Sequence, residues 1–222
     1  MNHIRATFDL EPRMPDSDGA ITRWCSAPGK RALDLLCTLP ALVALAPVML
    51  IIGAGVKLTS GSPVLFRQKR FGRNEREFEC LKFRTMKQSA GVGVTQAGDA
   101  RVTRLGRILR KWKLDELPQL INVVRGDMSL VGPRPDLPEF ITELDPARRK
   151  GLALLTPGIT GWATLKFRHE EELLADVAPQ HLRSFYVREV LPRKSDLDLE
   201  YASRASVWGD LMILFRTVSA IF

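Results

Sequence analysis

The segment LLCTLPALVALAPVMLIIGAGV, Leu35 to Val56, has no charged side chain. As a helix it is long enough to cross a hydrocarbon core of about 30 Å. A secretory signal fits poorly, because roughly thirty mostly polar residues precede the segment and its apolar run exceeds an h-region. A buried core helix fits poorly too, since such runs are shorter and interrupted by polar residues.

Working outward, Lys30 and Arg31 precede the segment, and Lys57, Arg67, Lys69, Arg70 and Arg73 follow it. By the positive-inside preference both ends belong on the cytoplasmic side, which a plain span cannot satisfy. Pro47 lies near the middle, where it removes a backbone donor and crowds the preceding turn, so a bend or break is predicted there. A re-entrant helix that enters and leaves through one leaflet answers both observations. The backbone groups freed at that depth then need partners from protein packing.

On the N-terminal side, the first 28 residues mix charges, carry Pro12 and Pro15 and lack apolar periodicity, which reads as a mobile leader. Beyond the segment, Gly61-Ser62-Pro63 turns the chain. Val64-Leu65-Phe66 and Phe78 to Phe83 read as short strands around the turn Phe71-Gly72-Arg73-Asn74, and Gly91 to Gly98 as a flexible loop. Two amphipathic stripes follow. Val102, Leu105, Ile108, Leu109 and Trp112 alternate with Arg104, Arg107, Arg110 and Lys111; Trp208, Leu211, Met212, Phe215 and Val218 form the second. Helical periodicity allows each to rest on a membrane surface or to face the protein's own core.

The chemistry concentrates in Leu114-Asp115-Glu116-Leu117-Pro118-Gln119-Leu120. Two neighbouring carboxylates among Arg107, Arg110, Lys111, Lys113 and Arg125 can bind a divalent cation or attack phosphorus, while the cations hold phosphate oxygens. Pro118 is tolerated in a first helical turn, and Leu117, Leu120, Ile121 and Val124 recur as an apolar stripe, so the pair should open a helix. At about 100° per residue Asp115 then projects roughly 170° from the stripe, away from the core, with the helix N-terminus favouring its charge. Gly126, Gly132, Pro133 and Pro135 fix an irregular path around Arg134, and Thr156 to Trp162 forms a similar later loop.

The chain has 222 residues, room for one domain of ordinary size. A net charge of +8 and a pI near 9.8 call for an anionic partner. No zinc-finger spacing or aromatic-rich basic motif is present, which makes nucleic acid the runner-up class of partner, and the uncharged segment Leu35 to Val56 argues further against it. Cys25, Cys37 and Cys80 form no C-x-x-C, and His3, His169 and His181 show no metal-ligand spacing. No Walker A loop or G-x-G-x-x-G motif appears, which disfavours nucleoside triphosphatases and dinucleotide enzymes.

From Lys30-Arg31-Ala32-Leu33-Asp34 onward the chain resembles the bacterial sugar transferases of the monotopic phosphoglycosyl transferase superfamily. The likeness runs through Gly61 to Gln68, Lys82-Phe83-Arg84-Thr85-Met86, Leu114 to Leu120, Gly126 to Ser129, Gly132-Pro133-Arg134-Pro135, Pro157 to Trp162 and Asp210-Leu211. The resemblance implies transfer of a sugar phosphate from a nucleotide-diphosphate sugar, a UDP-sugar by family expectation, to undecaprenyl or another polyprenol phosphate. UMP is released, an aspartyl-phosphosugar intermediate forms with Mg2+, and the reaction opens polysaccharide or glycoconjugate synthesis. By motif match Asp115 is the nucleophile and metal ligand and Glu116 its partner. Lys82, Arg84, Arg110 and Arg134 contact phosphate, and Arg168 helps hold the nucleotide.

The implied architecture is mixed α/β and mostly helical: a leader at 1–28, a re-entrant helix at 29–58, and a cytoplasmic catalytic domain with interfacial helices and a few short strands at 59–222. It implies the cytoplasmic face of the inner membrane with both termini cytoplasmic, lipid contact, and a homo-oligomer or downstream glycosyltransferases as further partners. The likeness is to the minimal catalytic form. Three positions depart from the family pattern: Ala46 replaces a common Ser, Lys113 a common hydroxyl residue, and Thr156 a common Arg. The competing reading is a non-catalytic basic protein that binds lipid or a partner at the membrane surface.

Overall fold

A computed structural model describes residues 21–87 and 98–221. Helix α1, Pro28–Ser60, begins after Ala27 in extended conformation, with Pro28 where its missing donor is harmless. It ends at Gly61, whose φ of 73° suits glycine and whose N–H donates to the Lys57 carbonyl at 2.9 Å. The helix runs through Pro40 and Pro47 as one element, so of the bend or break foreseen at Pro47 the break is absent from the secondary structure. Each proline deletes one ladder bond and crowds the turn before it, which bends a helix without having to end it.

Both ends of α1 pack on the rest of the protein. Lys30, Asp34 and Thr38 are buried near its start and Ile52 and Val56 near its end, whereas Leu36, Val43, Leu50 and Ile51 between them are 72–77% exposed. Among the described residues it is the one helix long and apolar enough to cross a membrane. The chain just before α1 is packed rather than mobile. Thr22 donates its N–H to the Ala202 carbonyl at 2.9 Å, and Cys25 is buried in an apolar cluster with Val131, Leu155 and Ile213. Residues 1–20, and the foreseen loop except Gly98, lie outside the described residues.

Strands β1, Leu65–Phe71, and β2, Glu77–Phe83, pair antiparallel with Phe66 opposite Lys82, and the first is longer than its sequence suggests. Helix α2, Arg104–Lys111, is capped by Thr103 Oγ1, which accepts from Gly106 N–H at 2.9 Å. Leu105 and Leu109 join Ile52, Val56 and Phe83 in an apolar cluster, while Ile108 and Trp112 point outward. The stripe therefore divides, with Leu105 and Leu109 facing the protein's own core and Ile108 and Trp112 exposed. Helix α3, Gln119–Arg125, ends at Gly126 with φ 91°, and Arg31 caps its C-terminus by donating to the Val123 and Val124 carbonyls. Strand β3, Ser129–Val131, follows.

Helices α4, Pro138–Ile141, and α5, Pro146–Ala153, lead to β4, Gly158–Thr160, which pairs parallel with β3. Short helices α6, Trp162–Lys166, α7, Glu170–Leu173, and α8, Leu182–Phe185, precede a π-turn at Tyr186–Val190, then α9, Leu191–Arg204, and α10, Val207–Ile221. The largest apolar cluster gathers Phe140, Ile141, Leu152, Leu174, Tyr186, Val190 and Leu191. Helix α10 buries Ile213 and Asp210 and leaves Trp208, Phe215 and Val218 mostly exposed. The root of α1 is fastened to it by a buried polar cluster. Lys30 Nζ lies 2.6 Å from Asp210 Oδ2, which also accepts from Trp24 Nε1 at 2.9 Å, and Tyr201 donates to Asp210 Oδ1. Asp34 Oδ1 accepts from Ser129 Oγ and Leu130 N–H, both at 3.0 Å, and so ties the same helix to β3.

Candidate active site

Asp115 and Glu116 lie in a 3-10 turn, Leu114–Glu116, that leads through Leu117 and Pro118 into α3. The sequence pattern puts the pair inside the first turn of the α-helix, and the structure corrects this. Pro118 is the N-cap of α3, so the pair is carried by i to i−3 bonds such as Glu116 N–H to the Lys113 carbonyl at 3.2 Å. Lys113 enters this turn with φ 54°, a left-handed conformation uncommon for a side chain of its size. Nor does Asp115 face solvent: it is 6% exposed and Glu116 9%.

Cations close over the pair. Lys82 Nζ, near the end of β2, lies 2.8 Å from Glu116 Oε1. Arg134 grips the same carboxylate with both terminal nitrogens, Nη1 to Oε2 at 3.3 Å and Nη2 to Oε1 at 2.5 Å. A guanidinium fork matches a carboxylate in this bidentate way. Burial would raise the Glu116 pKa, but the Arg134 and Lys82 charges overcome it and hold Glu116 well below the usual carboxylate range. Asp115 moves the other way. Burial raises it, the Glu116 charge adds to the rise, and Lys82, Arg110 and Lys113 oppose it. Its Oδ1 is buried with no hydrogen-bond partner. Two adjacent carboxylates thus differ in state: Glu116 is locked in ion pairs, whereas Asp115 is pushed toward a higher pKa and keeps a buried oxygen without a hydrogen-bond partner.

Arg134 is placed by two interlocked loops. Gly132 N–H donates to the Thr160 carbonyl at 2.9 Å, Gly158 N–H to the Pro133 carbonyl at 2.8 Å, and Ser129 N–H to the Pro157 carbonyl at 2.8 Å. The backbones are so close that a Cβ on Gly158 would stand 2.1 Å from the Gly132 nitrogen. Those glycines are required by packing. Below the loop, Asp198 is buried on α9, where burial raises its pKa to about 8 while the Lys194 charge and the backbone N–H groups of Ala163 and Arg134 oppose the rise.

Of the residues singled out in the sequence, Asp115, Glu116, Lys82 and Arg134 form one cluster, with Arg110 near enough to act on Asp115. Arg84 is engaged elsewhere. Its Nη1 donates to the Ser62 carbonyl at 2.9 Å and its Nη2 to those of Ser60 and Gly61, closing the end of α1. Arg168 is exposed, with Nε 2.8 Å from His169 Nε2. Reading the sequence missed α7, where Glu171 lies 3.5 Å from Arg110 and Glu170 lies 2.9 Å from buried Lys194. The run Glu170-Glu171-Glu172 in a basic chain was the available signal. It also missed Asn122, wholly buried on α3 behind the pair.

For a divalent cation the donor set is sparse. No group of three or more His, Cys, Asp or Glu suited to a metal occurs among the described residues. Glu116 is already neutralised, which leaves Asp115, whose buried Oδ1 has no hydrogen-bond partner, as the carboxylate of the pair available to a cation. That fits Mg2+ arriving with a diphosphate, since the ion keeps several waters and needs few carboxylates.

The site is a buried acidic pair, one member of which is held by two cations, in a fold that carries one helix long and apolar enough to cross a membrane among the described residues. The family model for bacterial sugar transferases matches residues 25–222, and the chain belongs to that family. It is 36% identical over 197 residues to a UDP-N-acetylgalactosamine-undecaprenyl-phosphate N-acetylgalactosaminephosphotransferase of Aeromonas hydrophila, covering 86% of this chain and 43% of that protein. It is 40% identical over 198 residues to an undecaprenyl-phosphate glucose phosphotransferase of Komagataeibacter xylinus, covering 85% and 35%. The chain thus spans less than half the length of these two relatives. An exopolysaccharide production protein ExoY of Sinorhizobium fredii is 34% identical over 227 residues, covering 94% of this chain and 91% of that one.

Proposed function

We propose that this chain transfers a sugar phosphate from a UDP-sugar to undecaprenyl phosphate, at the cytoplasmic face of the inner membrane, in two in-line displacements. The observation that carries the reading is the division of labour in the acidic pair: Glu116 held by Lys82 and Arg134, Asp115 Oδ1 buried and unpartnered. In the first displacement an Asp115 oxygen attacks the sugar-bearing phosphorus, the bridging P–O bond breaks, and UMP leaves with the bridging oxygen. In the second, an oxygen of polyprenol phosphate attacks the same phosphorus, the Asp115–phosphorus bond breaks, and the carboxylate is regenerated as the lipid diphosphate forms. Such transfer needs placement and charge neutralisation more than proton shuttling, which suits this residue set. Bound Mg2+ supplies charge neutralisation on the diphosphate.

The topological part of the proposal is that α1 enters and leaves one leaflet. Its support is the burial of both ends, Asp34 against β3 and Val56 against Phe83 and Leu109, on one folded unit. A straight span would deliver its ends to opposite faces about 30 Å apart. The exposed Ile108, Trp112, Trp208 and Phe215 are suited to the interface. Purified protein incubated with a panel of UDP-sugars and undecaprenyl phosphate should release UMP with one or more of them, and Asp115→Asn should abolish release while remaining folded. Absence of release with every sugar, alongside lipid binding that is unchanged in Asp115→Asn, favours the non-catalytic reading instead.

A further inference from the structure

Strand β2 has two edges, and β1 covers one of them. On the other edge the Glu79 carbonyl and Leu81 N–H meet a single side chain. Asn122 Oδ1 accepts from Leu81 N–H at 3.0 Å, and Asn122 Nδ2 donates to the Glu79 carbonyl at 2.8 Å. The carboxamide therefore pairs with the strand as a neighbouring peptide would. Its second Nδ2 hydrogen reaches Asp127 Oδ2 at 3.2 Å. Asn122 is 0% exposed, so each of these bonds replaces a water that cannot enter.

The same residue organises the turn after α3. Its backbone carbonyl accepts from the N–H groups of Gly126, Asp127 and Met128, at 3.1, 3.0 and 3.3 Å. That turn leads through β3 to Arg134. One residue thus ties together the three segments that meet at Glu116: β2 with Lys82, the turn and helix of the acidic pair, and the path to Arg134. Resting on the transfer reading above, we infer that Asn122 is a positioning residue for that reaction, setting Lys82 in register with Glu116. It touches neither substrate nor the reacting atoms.

A register role makes a coupled prediction. If Asn122 acts through Lys82, Asn122→Ala loses what Lys82→Ala loses, and the double variant is no worse than Lys82→Ala. We expect Asn122→Ala to lower kcat roughly 100-fold with KM within about threefold, the effect of an ångström-scale misplacement. The Leu81 amide, slow to exchange in the wild type, should exchange far faster in the variant. Effects that multiply in the double variant, or a Leu81 amide that stays protected, overturn the proposal. Where Asn122→Ala does not fold, Asn122→Asp keeps the acceptor for Leu81 and removes the donor to Glu79. Wild-type activity in that variant would overturn it equally. Hydrogen exchange reads the Asn122 contact without turnover, whereas wild-type protein inactive on every UDP-sugar tests the underlying reading.

Discussion

Replacing Lys30 with Met should destabilise the protein far more than removing an exposed ion pair. Lys30 and Asp210 are 2.6 Å apart with side chains only 7% and 2% exposed, so the substitution leaves a carboxylate in the interior facing Trp24 Nε1 and the Tyr201 hydroxyl alone. Removing one partner of a buried pair costs about 3–5 kcal/mol. The Arg67–Glu79 pair, at 3.3 Å with side chains 64% and 56% exposed, serves as the control. Screening by water limits its worth to about 0–1 kcal/mol. For a domain near this size each kcal/mol moves the melting temperature by about 2–4 °C, so Lys30→Met should melt roughly 6–20 °C lower and Arg67→Ala within about 4 °C of wild type. Thermal unfolding of detergent-solubilised protein reads both. Adding Asp210→Asn to Lys30→Met should recover part of the loss, because the uncompensated charge is gone. A Lys30→Met variant as stable as Arg67→Ala would refute the idea that this cluster fastens α1 to the domain.

Arg110→Ala removes a charge that keeps the Asp115 pKa down, so the acid limb of the pH profile of kcat/KM should move to higher pH; an unmoved limb argues against Asp115 as the ionising group. Asp198, with a pKa raised from 3.8 to about 8, binds a proton in the native state that the unfolded chain releases, so its contribution to stability is full below about pH 4 and declines until about pH 8. Denaturant titrations across that window should therefore show a shallower pH dependence for Asp198→Asn. Excess EDTA with metal-free substrates should stop UMP release, and added Mg2+ should restore it.

The apolar helix, the hairpin and the acidic pair were legible because each rests on local rules: uncharged length, strand residues around a glycine turn, and carboxylates among cations. What escaped the sequence is set by contacts between distant segments. Pro118 marked a helix start, but its place as N-cap, which moves Asp115 and Glu116 into a 3-10 turn, depends on how α3 seats against β2. Arg84 and Lys82 lie two positions apart in one motif, yet one closes the end of α1 and the other meets Glu116. Nothing local distinguishes them. The cations on Glu116, Lys82 and Arg134, likewise come from segments distant in the chain, and so does the role of Asp34 and Asp210, whose motif signals a fastening only once α1 is docked.

The central claim is a covalent bond between Asp115 and the transferred phosphosugar, and mass spectrometry of protein incubated with a UDP-sugar and no polyprenol phosphate tests it most directly. The account predicts release of up to one equivalent of UMP per protein, a phosphosugar adduct on the peptide containing Asp115, and its loss when undecaprenyl phosphate is added. Turnover that proceeds without any adduct on that peptide, and that survives in Asp115→Asn, would contradict it.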